Sequence, residues 1–305
     1  MIIPTYLQKG DTVAIVSTAR KISTSEIQPA IELLTAWGLQ VVVGTTIGAE
    51  YYQFAGDDAL RAADFQAMLD NPKVKAIWCA RGGYGTVRMI DLLNFSEFLK
   101  HPKWIVGYSD VTVLHSHIHQ LGVATIHSQM CLEIENKTEA TRETLRKALF
   151  GEEYSIEYIS THPLQRHGTA KAQLVGGNLS MLYSLCGSPS ALDTKGKILF
   201  LEDLDEHLYH VDRMMQNLKR NGMLKELKGL IVGGMSDMKD HTQEFGFATD
   251  RPFGKTAEEI IYDAVKEYDF PACFNFPAGH ILDNRALVMG REAILKAVEK
   301  KVFFE

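Results

Sequence analysis

Three residues at the ends of apolar runs could together form a catalytic triad: Ser109, Glu202 and His280. Ser109 lies in GYSD, where the strand-like run KWIV gives way to helical spacing, Glu202 follows KILFL, and His280 follows a glycine in FPAGH. A serine hydroxyl attacks a carbonyl only when a neutral imidazole takes its proton, and a carboxylate on the other ring nitrogen fixes the tautomer of that imidazole. The chain order serine, acid, histidine is one of the known orders for such triads. The chemistry that these residues predict is nucleophilic acyl transfer.

Each of the three residues also has a structural interpretation. Ser109 could be a helix N-cap, because serine and aspartate side chains accept hydrogen bonds from the first amides of a helix. Glu202 could belong to a group of acids that favour the N-terminus of the following helix. The other acids of this group are Asp203, Asp205 and Glu206. His280 could be a turn histidine. The residues alone leave both interpretations open.

The first half of the chain contains the elements that would position Ser109. The apolar runs TVAIVST, LQVVVGT, VKAIWCA and KWIVGYS predict buried strands, and SEIQPAIELLTAWG, DDALRAADFQAMLDN and GTVRMIDLLNFSEFLK have helical spacing between them. Alternating strands and helices predict a parallel sheet with helices on both faces. Ligands bind such sheets at the carboxyl ends of the strands. The segments STAR, ARGGYG and GYSD all follow predicted strands, so we expect them to lie at one crevice.

The second half has a different texture. The runs AQLVGGNLSMLYSLCGSP, GKILFLEDLDE, LKGLIVGGMSD, FPACFNFPAGH and ALVMGREAILKAV predict short strands with glycine-rich turns, and HLYHVDRMMQNLKRNG and GKTAEEIIYDAVKEY predict two helices. The polar segment before it is typical of a connection. We therefore predict an α/β protein of two domains. Residues 1–140 form a doubly wound parallel sheet of the flavodoxin or amidotransferase type, 141–170 form a linker, and 171–305 form a smaller mixed α/β domain.

Composition narrows the function class. The 305 residues carry a formal net charge of −6 without a basic run, so neither a nucleic-acid partner nor an anionic membrane surface is expected. The chain has no signal-peptide pattern at its start and no apolar run of about 18 residues, which predicts a cytoplasmic protein. The four cysteines form no C-x-x-C pair, and we expect reduced thiols in the core.

No cofactor or metal is predicted. The glycine-rich segments GGYGTVR and VGGNLS lack a full G-x-G-x-x-G, which disfavours a dinucleotide site. His115 and His119 lie four residues apart and could hold a metal, but no H-E-x-x-H motif accompanies them, so we favour packing or surface roles.

Five phrases in one order and spacing resemble the LD-carboxypeptidase family of serine peptidases: ARGGYGTVRMID, WIVGYSDVTVLHSH, LVGGNLSML, ILFLEDLDEHLYHVDRMMQNLKRNGML and FPAGH. The resemblance spans nearly the whole chain. It implies a two-domain fold whose Ser-Glu-His triad falls on Ser109, Glu202 and His280, with the active site at the domain interface. It also implies murein tetrapeptide as substrate, release of terminal D-alanine in peptidoglycan recycling, and a homodimer.

Further site residues follow from the turn around the nucleophile. In a strand-to-helix elbow the amide after the nucleophile points at the oxyanion, so Asp110 N–H is one predicted donor. Gly83, with Gly82 beside it, is the predicted second donor because a residue without Cβ lets the backbone approach a substrate. Arg81 is predicted to bind the terminal carboxylate, with a domain-interface ion pair as the alternative, and Tyr84 is predicted to line the substrate site.

The sequence leaves two other functions open. A peptidyl-nucleotide amidase of the microcin C immunity type belongs to the same family, although RGGYG is more similar to the murein enzymes. A two-lobed small-molecule binding protein without catalysis would also have a crevice at strand ends.

Overall fold

The chain forms two units in a computed structural model that describes residues 1–305. The first unit comprises Met1–Tyr154 and Leu282–Arg291, and the second comprises Ser155–Ile281 and Glu292–Glu305. A short C-terminal segment therefore returns to the first unit.

The elements before the second unit are, in chain order, β1 (Thr12–Val16), α1 (Thr24–Ala36), β2 (Gln40–Val43), α2 (Asp58–Asp70), β3 (Val74–Cys79), α3 (Ser96–Lys100), β4 (Trp104–Gly107), α4 (Thr112–Gln120), β5 (Thr125–His127) and α5 (Glu139–Phe150). The remaining elements are β6 (Ile156–Ile159), β7 (Gly168–Asn178), α6 (Leu179–Leu185), β8 (Ile198–Leu204), α7 (Leu208–Arg220), β9 (Gly229–Ser236), α8 (Ala257–Val265), β10 (Ala272–Cys273), β11 (Leu287–Met289), β12 (Glu292–Val298) and β13 (Lys301–Phe304).

The sheet of the first unit has the strand order β11-β5-β4-β3-β1-β2. Strands β1 to β5 are parallel, and β11 pairs antiparallel with β5 at the edge. The parallel part has the 2-1-3-4-5 order of flavodoxin-like doubly wound folds, in which the carboxyl ends of the strands face one crevice. The predicted α/β sheet is confirmed.

Helices α1 and α5 pack on one face of this sheet. A Ser23–Glu26 capping box fixes the start of α1, since Ser23 Oγ accepts from Glu26 N and the Glu26 carboxylate accepts from Ser23 N. The helices and strands share a core that includes Ile27, Leu34, Leu145, Leu149, Ile15, Trp78 and Val106. Burial of this apolar stripe holds the helices against the sheet.

One predicted helix is mostly absent. The segment GTVRMIDLLNFSEFLK forms two 3₁₀ turns, Thr86–Arg88 and Ile90–Leu92, before the short α3. The helical path breaks at Leu93, which is extended, and at Asn94, whose side chain accepts from Ser96 N. Asparagine side chains compete in this way with helical hydrogen bonds, so helical spacing alone was misleading here.

The predicted linker at 141–170 is folded, and the division between the units differs from the predicted boundaries at 140 and 171. Its first part belongs to α5, which Thr138 caps. The polar residues of α5 form the outer face of an amphipathic helix. Its second part contains β6, which pairs antiparallel with β13 in the second unit. Polar composition marked an exposed helix face and an edge strand rather than a connection.

The second unit contains a seven-stranded sheet in the order β10-β9-β8-β7-β12-β13-β6. Strands β7 to β10 are parallel, whereas β12, β13 and β6 are antiparallel, so the predicted mixed α/β architecture is confirmed. The phrase LVGGNLSML does not form strands alone, because α6 begins at Leu179 with Asn178 as its N-cap. Helices α7 and α8 pack on the apolar core of this unit.

All four cysteines are free, and Cys79, Cys131 and Cys273 are buried while Cys186 is half-buried. Burial raises the pKa of the Cys79 thiol to about 12, which keeps it protonated and unreactive at neutral pH. None of the helices combines the length and the apolar character that crossing a bilayer requires.

Candidate active site

Ser109 lies on a strained turn between β4 and α4. Its φ is +61°, a left-handed conformation that non-glycine residues rarely adopt and that costs roughly 1–3 kcal/mol. The turn is tight, because a Cβ on Gly107 would lie 2.9 Å from Val111 Cγ2. Ser109 is half-buried between the buried residues Tyr108 and Asp110. This is the backbone geometry of a nucleophile elbow.

The structure does not support the N-cap interpretation of Ser109. Helix α4 begins at Thr112 and has Val111 at its N-cap without a side-chain cap bond. The 3₁₀ turn Ser109–Val111 that precedes it also lacks such a bond. The strained conformation of Ser109 is therefore not needed to cap the helix.

A buried histidine, His115, contacts the backbone of the elbow. His115 Nε2 lies 2.9 Å from the Gly107 carbonyl oxygen, which also accepts from Ser128 N at 3.0 Å. Burial lowers the pKa of His115 to about 4, so its imidazole is neutral at pH 7 and donates through Nε2–H. His119 Nε2 lies 3.2 Å from Thr125 Oγ1. His115 and His119, the two histidines that could hold a metal, thus both contact protein groups.

The ARGGYG loop after β3 is tied to the elbow through Asp110. The buried Asp110 carboxylate accepts from Thr86 N at 2.9 Å and from Thr86 Oγ1 at 2.6 Å. Desolvation raises the pKa of this carboxyl, while the bonds to Thr86 oppose that rise. The sequence marked Asp110 only for its N–H, but its side chain also joins the two loops that carry the predicted oxyanion donors.

Gly83, the predicted second oxyanion donor, and Gly82 beside it leave little room for a side chain. Gly83 has φ +104°, and a Cβ there would lie 2.6 Å from Arg20 Cδ. A Cβ on Gly82 would lie 3.1 Å from Met130 Cε. These backbones can approach another group closely because no Cβ intervenes.

Arg81 and Tyr84 lie on the same loop but point to different surroundings. Arg81 Nη1 donates to the Lys21 carbonyl at 3.1 Å and lies 4.0 Å from Glu26 Oε1. It lines a cavity of about 340 Å³ beside the start of α1. Tyr84 is 41% exposed, and its ring centroid is 6.2 Å from that of Phe54. The contacts of Arg81 lie within the first unit, and its substrate role stays a prediction.

Glu202 and His280 meet in the second unit although 78 residues separate them. His280 Nδ1 is 2.6 Å from Glu202 Oε2, and Glu202, on β8, has no exposed surface. Gly279 makes this approach possible, because a Cβ there would lie 2.7 Å from Glu202 Cβ. Ser236 Oγ donates to the His280 carbonyl at 2.6 Å. A carboxylate on Nδ1 directs Nε2 to act as the base.

The acids near Glu202 do not gather at the N-terminus of α7, whose first turn contains no acid. Asp203 Oδ1 accepts from Asn178 Nδ2 at 2.8 Å, and Asp203 Oδ2 accepts from Ser180 N at 2.9 Å. Burial, aided by the Glu202 charge, raises the pKa of Asp203 to about 7. Asp205 pairs with Lys239, and Glu206 pairs with His210. The sequence singled out Glu202 but left the other three acids as one group, and burial now separates Asp203 from Asp205 and Glu206.

Comparison with known proteins identifies the family. The model of the LD-carboxypeptidase N-terminal domain matches residues 13–128, and that of the C-terminal domain matches residues 171–295. A probable murein peptide carboxypeptidase of Bacillus subtilis is 34% identical over 99% of this chain and 94% of its own length. The murein tetrapeptide carboxypeptidase of Pseudomonas aeruginosa is 26% identical over 93% of this chain and 92% of its own.

Solved structures agree with this assignment. The crystal structure of muramoyltetrapeptide carboxypeptidase from Oxalobacter formigenes has a TM-score of 0.84 and 27% identity, covering 96% of this chain and 97% of that one. The microcin C7 self-immunity protein MccF, with 20% identity, a TM-score of 0.85 and coverage of 99% and 98%, shares the fold. Family models cover both units and a 34% identical relative spans nearly the whole length, so the chain belongs to the LD-carboxypeptidase family.

Proposed function

We propose that the protein is a serine-type LD-carboxypeptidase that removes terminal D-alanine from murein tetrapeptide. The observation that carries the proposal is the 2.6 Å bond between His280 Nδ1 and the fully buried Glu202 carboxylate, which prepares an imidazole to act as a base. The strained turn at Ser109 supplies a matching nucleophile. The names of the Bacillus, Pseudomonas and Oxalobacter relatives support the substrate.

In the proposed reaction, Ser109 Oγ attacks the carbonyl carbon of the L,D-amide bond while His280 Nε2 takes the hydroxyl proton. The amides of Asp110 and Gly83 donate to the oxyanion that forms. The imidazolium then gives its proton to the departing amine of D-alanine, leaving an acyl ester on Ser109. A water molecule, deprotonated by His280, hydrolyses this ester and regenerates the serine. The reaction requires Ser109 of the first unit to meet His280 of the second.

Recognition of the free peptide end is the second requirement. A buried carboxylate needs a cation or several amide donors to offset its desolvation. Arg81 is our candidate for this contact, which would require it to exchange the Lys21 carbonyl for the substrate. Gly82 and the exposed ring of Tyr84 are the neighbouring candidates for substrate contacts.

The main alternative is cleavage of a peptidyl-nucleotide amide. The microcin C7 self-immunity protein MccF of Escherichia coli is 23% identical over 93% of this chain and 90% of its own length, compared with 34% for the Bacillus protein. The murein peptide is therefore the better-supported substrate. A non-catalytic binding protein is the third candidate and would not need an imidazole oriented by a buried carboxylate.

The family resemblance also supports peptidoglycan recycling and a homodimer as parts of the proposal, to which we add a cytoplasmic location. Light scattering on the purified protein tests the dimer: a mass near twice the 34.1 kDa of one chain supports it, and a monomer mass contradicts it.

The function is tested by incubating the protein with L-Ala-D-Glu-meso-diaminopimelate-D-Ala and detecting released D-alanine by mass. We expect release from this peptide, much slower release from the all-L peptide, and little cleavage when the terminal carboxylate is amidated. Equal rates on the D and L peptides would contradict an LD-carboxypeptidase. Faster cleavage of a peptidyl-adenylate analogue would favour the amidase, and a binding protein would bind without releasing product.

A further inference from the structure

Arg61, on α2, is a completely buried cation that joins two loops of the first unit. Its guanidinium Nη1 donates to the Thr18 carbonyl at 2.7 Å and to the Gly85 carbonyl at 2.9 Å. Thr18 follows β1, and Gly85 ends the glycine loop that follows β3. One side chain thus fixes the distance between two strand-end loops.

A second set of bonds joins the same loops to the elbow. Thr86 Oγ1 lies 2.9 Å from Thr18 Oγ1 and donates to the Asp110 carboxylate, which also accepts from Thr86 N. The loops after β1, β3 and β4 therefore form one buried hydrogen-bonded network. Asp110 directly follows Ser109, and Gly85 lies two residues after Gly83.

Gly85 is fitted closely around Arg61. A Cβ on Gly85 would lie 2.6 Å from Arg61 Nη1 and 2.9 Å from Ala19 Cα. The carbonyl of this residue can reach the guanidinium because no side chain stands between them. The position of the glycine loop is thus set by Arg61 and by Thr86 together.

The outer end of Arg61 is paired with an acid that has a second partner. Arg61 Nη2 donates to Asp58, which Arg88 also binds at 2.7 Å, and both arginines lie over the Phe54 ring. The side chain of Arg88 is exposed, interacts with Tyr84 and makes no bond to the Gly85 or Thr18 carbonyl, whereas its backbone N–H donates to the Gly85 carbonyl at 3.1 Å. Arg88→Met is therefore the control, since this side chain shares the acid and the ring with Arg61 but does not bond to the Thr18 and Gly85 carbonyls.

A buried guanidinium is a costly means of stabilising a fold, because desolvation disfavours the charged form and lowers the pKa of Arg61. Its planar fork offers several donors in a fixed geometry, which suits two carbonyls on different loops. Oxyanion donors act only when they are held at the right position before the reaction.

We propose that Arg61 is a positioning residue, which holds the Gly82–Thr86 loop so that the Gly83 amide can stabilise the oxyanion formed at Ser109. This inference rests on the proposed function, and it adds a residue far from the nucleophile in sequence that acts through the carbonyls of Thr18 and Gly85.

The test compares Arg61→Met, Arg61→Lys and the control Arg88→Met. Two assays are run on each variant. The first measures kcat and KM on the tetrapeptide, and the second measures the rate at which a fluorophosphonate phosphonylates the serine, a reaction that also forms an oxyanion. Removing one oxyanion donor costs about 10²–10³ in kcat, so we expect displacement of the donor in Arg61→Met to lower both rates roughly 10- to 100-fold, with KM changed less than about threefold. Arg61→Lys should recover part of the loss, and Arg88→Met should stay within about threefold of the wild type in both rates.

Folding is followed by thermal melting of each variant. A folded Arg61→Met with wild-type rates, or an equal loss in Arg88→Met, would overturn the proposal. If Arg61→Met does not fold, Thr86→Val serves instead, because it removes the hydroxyl bonds to Asp110 and Thr18 at nearly constant volume. A loss of about tenfold in both rates supports the proposal, and unchanged rates overturn it.

The two assays separate this inference from the proposed function. If the wild type is labelled by the fluorophosphonate but does not cleave the tetrapeptide, the substrate assignment fails while the labelling rates still test Arg61. If the wild type is neither labelled nor active, both proposals fail.

Discussion

The first unit holds Ser109 through its backbone, whereas the second unit holds His280 through a side-chain bond. Around Ser109, a positive φ, a glycine at 107 and a carbonyl bound by His115 define the turn. In the second unit, the carboxylate of Glu202 fixes the ring of His280. The two arrangements should therefore differ in what disrupts them: added atoms near the elbow, and removed atoms at the acid–histidine pair.

The largest effect is expected from Ser109→Ala and His280→Ala, which remove the reacting groups themselves. Each should lower kcat on the tetrapeptide by about 10⁴–10⁶, because serine and imidazole act as one unit in forming the acyl-enzyme. The melting temperature of Ser109→Ala should remain close to that of the wild type, since this change removes only a half-buried hydroxyl. A Ser109→Ala enzyme that keeps more than roughly a tenth of the rate would refute the triad.

Glu202→Gln should have the next largest effect, because it keeps the shape of the pair but removes its charge. An amide facing His280 Nδ1 favours the wrong tautomer, and we expect a loss of about 10³–10⁴ in kcat. Glu206→Gln is the matched control, since Glu206 also pairs with a histidine, His210, outside the proposed site. A similar loss in both variants would contradict the specific role of Glu202.

Gly83→Ala tests the backbone side of the comparison by adding one atom. The new Cβ would lie 2.6 Å from the Arg20 side chain, which must move aside, and would sit at a φ of +104°, which strains the loop. We expect kcat to fall roughly 10- to 100-fold, below the cost of about 10²–10³ for losing one oxyanion donor, because the loop can partly adjust. Gly10→Ala is the control, since Gly10 has φ +92° but no atom within 4 Å of the added Cβ. Equal losses in the two variants would indicate a general effect of strain.

The smallest effects concern the pH dependence of stability. His115 in the first unit and Asp203 in the second should change the free energy of unfolding in opposite directions as pH rises. The folded pKa of His115 is lowered from 6.5 to about 4, so His115 reduces the free energy of unfolding as pH falls through that interval. The folded pKa of Asp203 is raised from 3.8 to about 7, so Asp203 reduces the free energy of unfolding as pH rises through that interval. Each contribution to the free energy of unfolding amounts to a few kcal/mol at most, because a pKa difference of one between the folded and unfolded states corresponds to about 1.4 kcal/mol.

The measurement is urea unfolding of His115→Gln, Asp203→Asn and the wild type between pH 4 and pH 7. Relative to the wild type, His115→Gln should lose less stability toward pH 4, and Asp203→Asn should lose less toward pH 7. If both variants changed the pH dependence of the free energy of unfolding in the same direction relative to the wild type, the pKa shifts assigned to His115 and Asp203 would be contradicted.

Local patterns predicted the parallel strands of the first unit and the positions of Ser109, Glu202 and His280, because strand ends, small residues and apolar runs are short-range features. The same patterns misjudged residues 85–100 and 141–170. In the first segment the side chain of Asn94 broke the helical path, and in the second a polar helix face resembled a connection. The spacing of apolar residues shows which side chains could share a face of a helix or strand. Local hydrogen bonds and strand pairing decide whether that helix or strand forms.

The sequence by itself determined the alternation of strands and helices, the family resemblance and the candidate triad residues. Only the tertiary structure showed that Glu202 contacts His280 across 78 residues, and that Ser109 has a left-handed conformation without capping a helix. It alone revealed Arg61, whose bonds to Thr18 and Gly85 span 43 and 24 residues. The physical reason is that hydrogen-bond geometry and desolvation depend on groups brought together from distant parts of the chain, which no local pattern encodes.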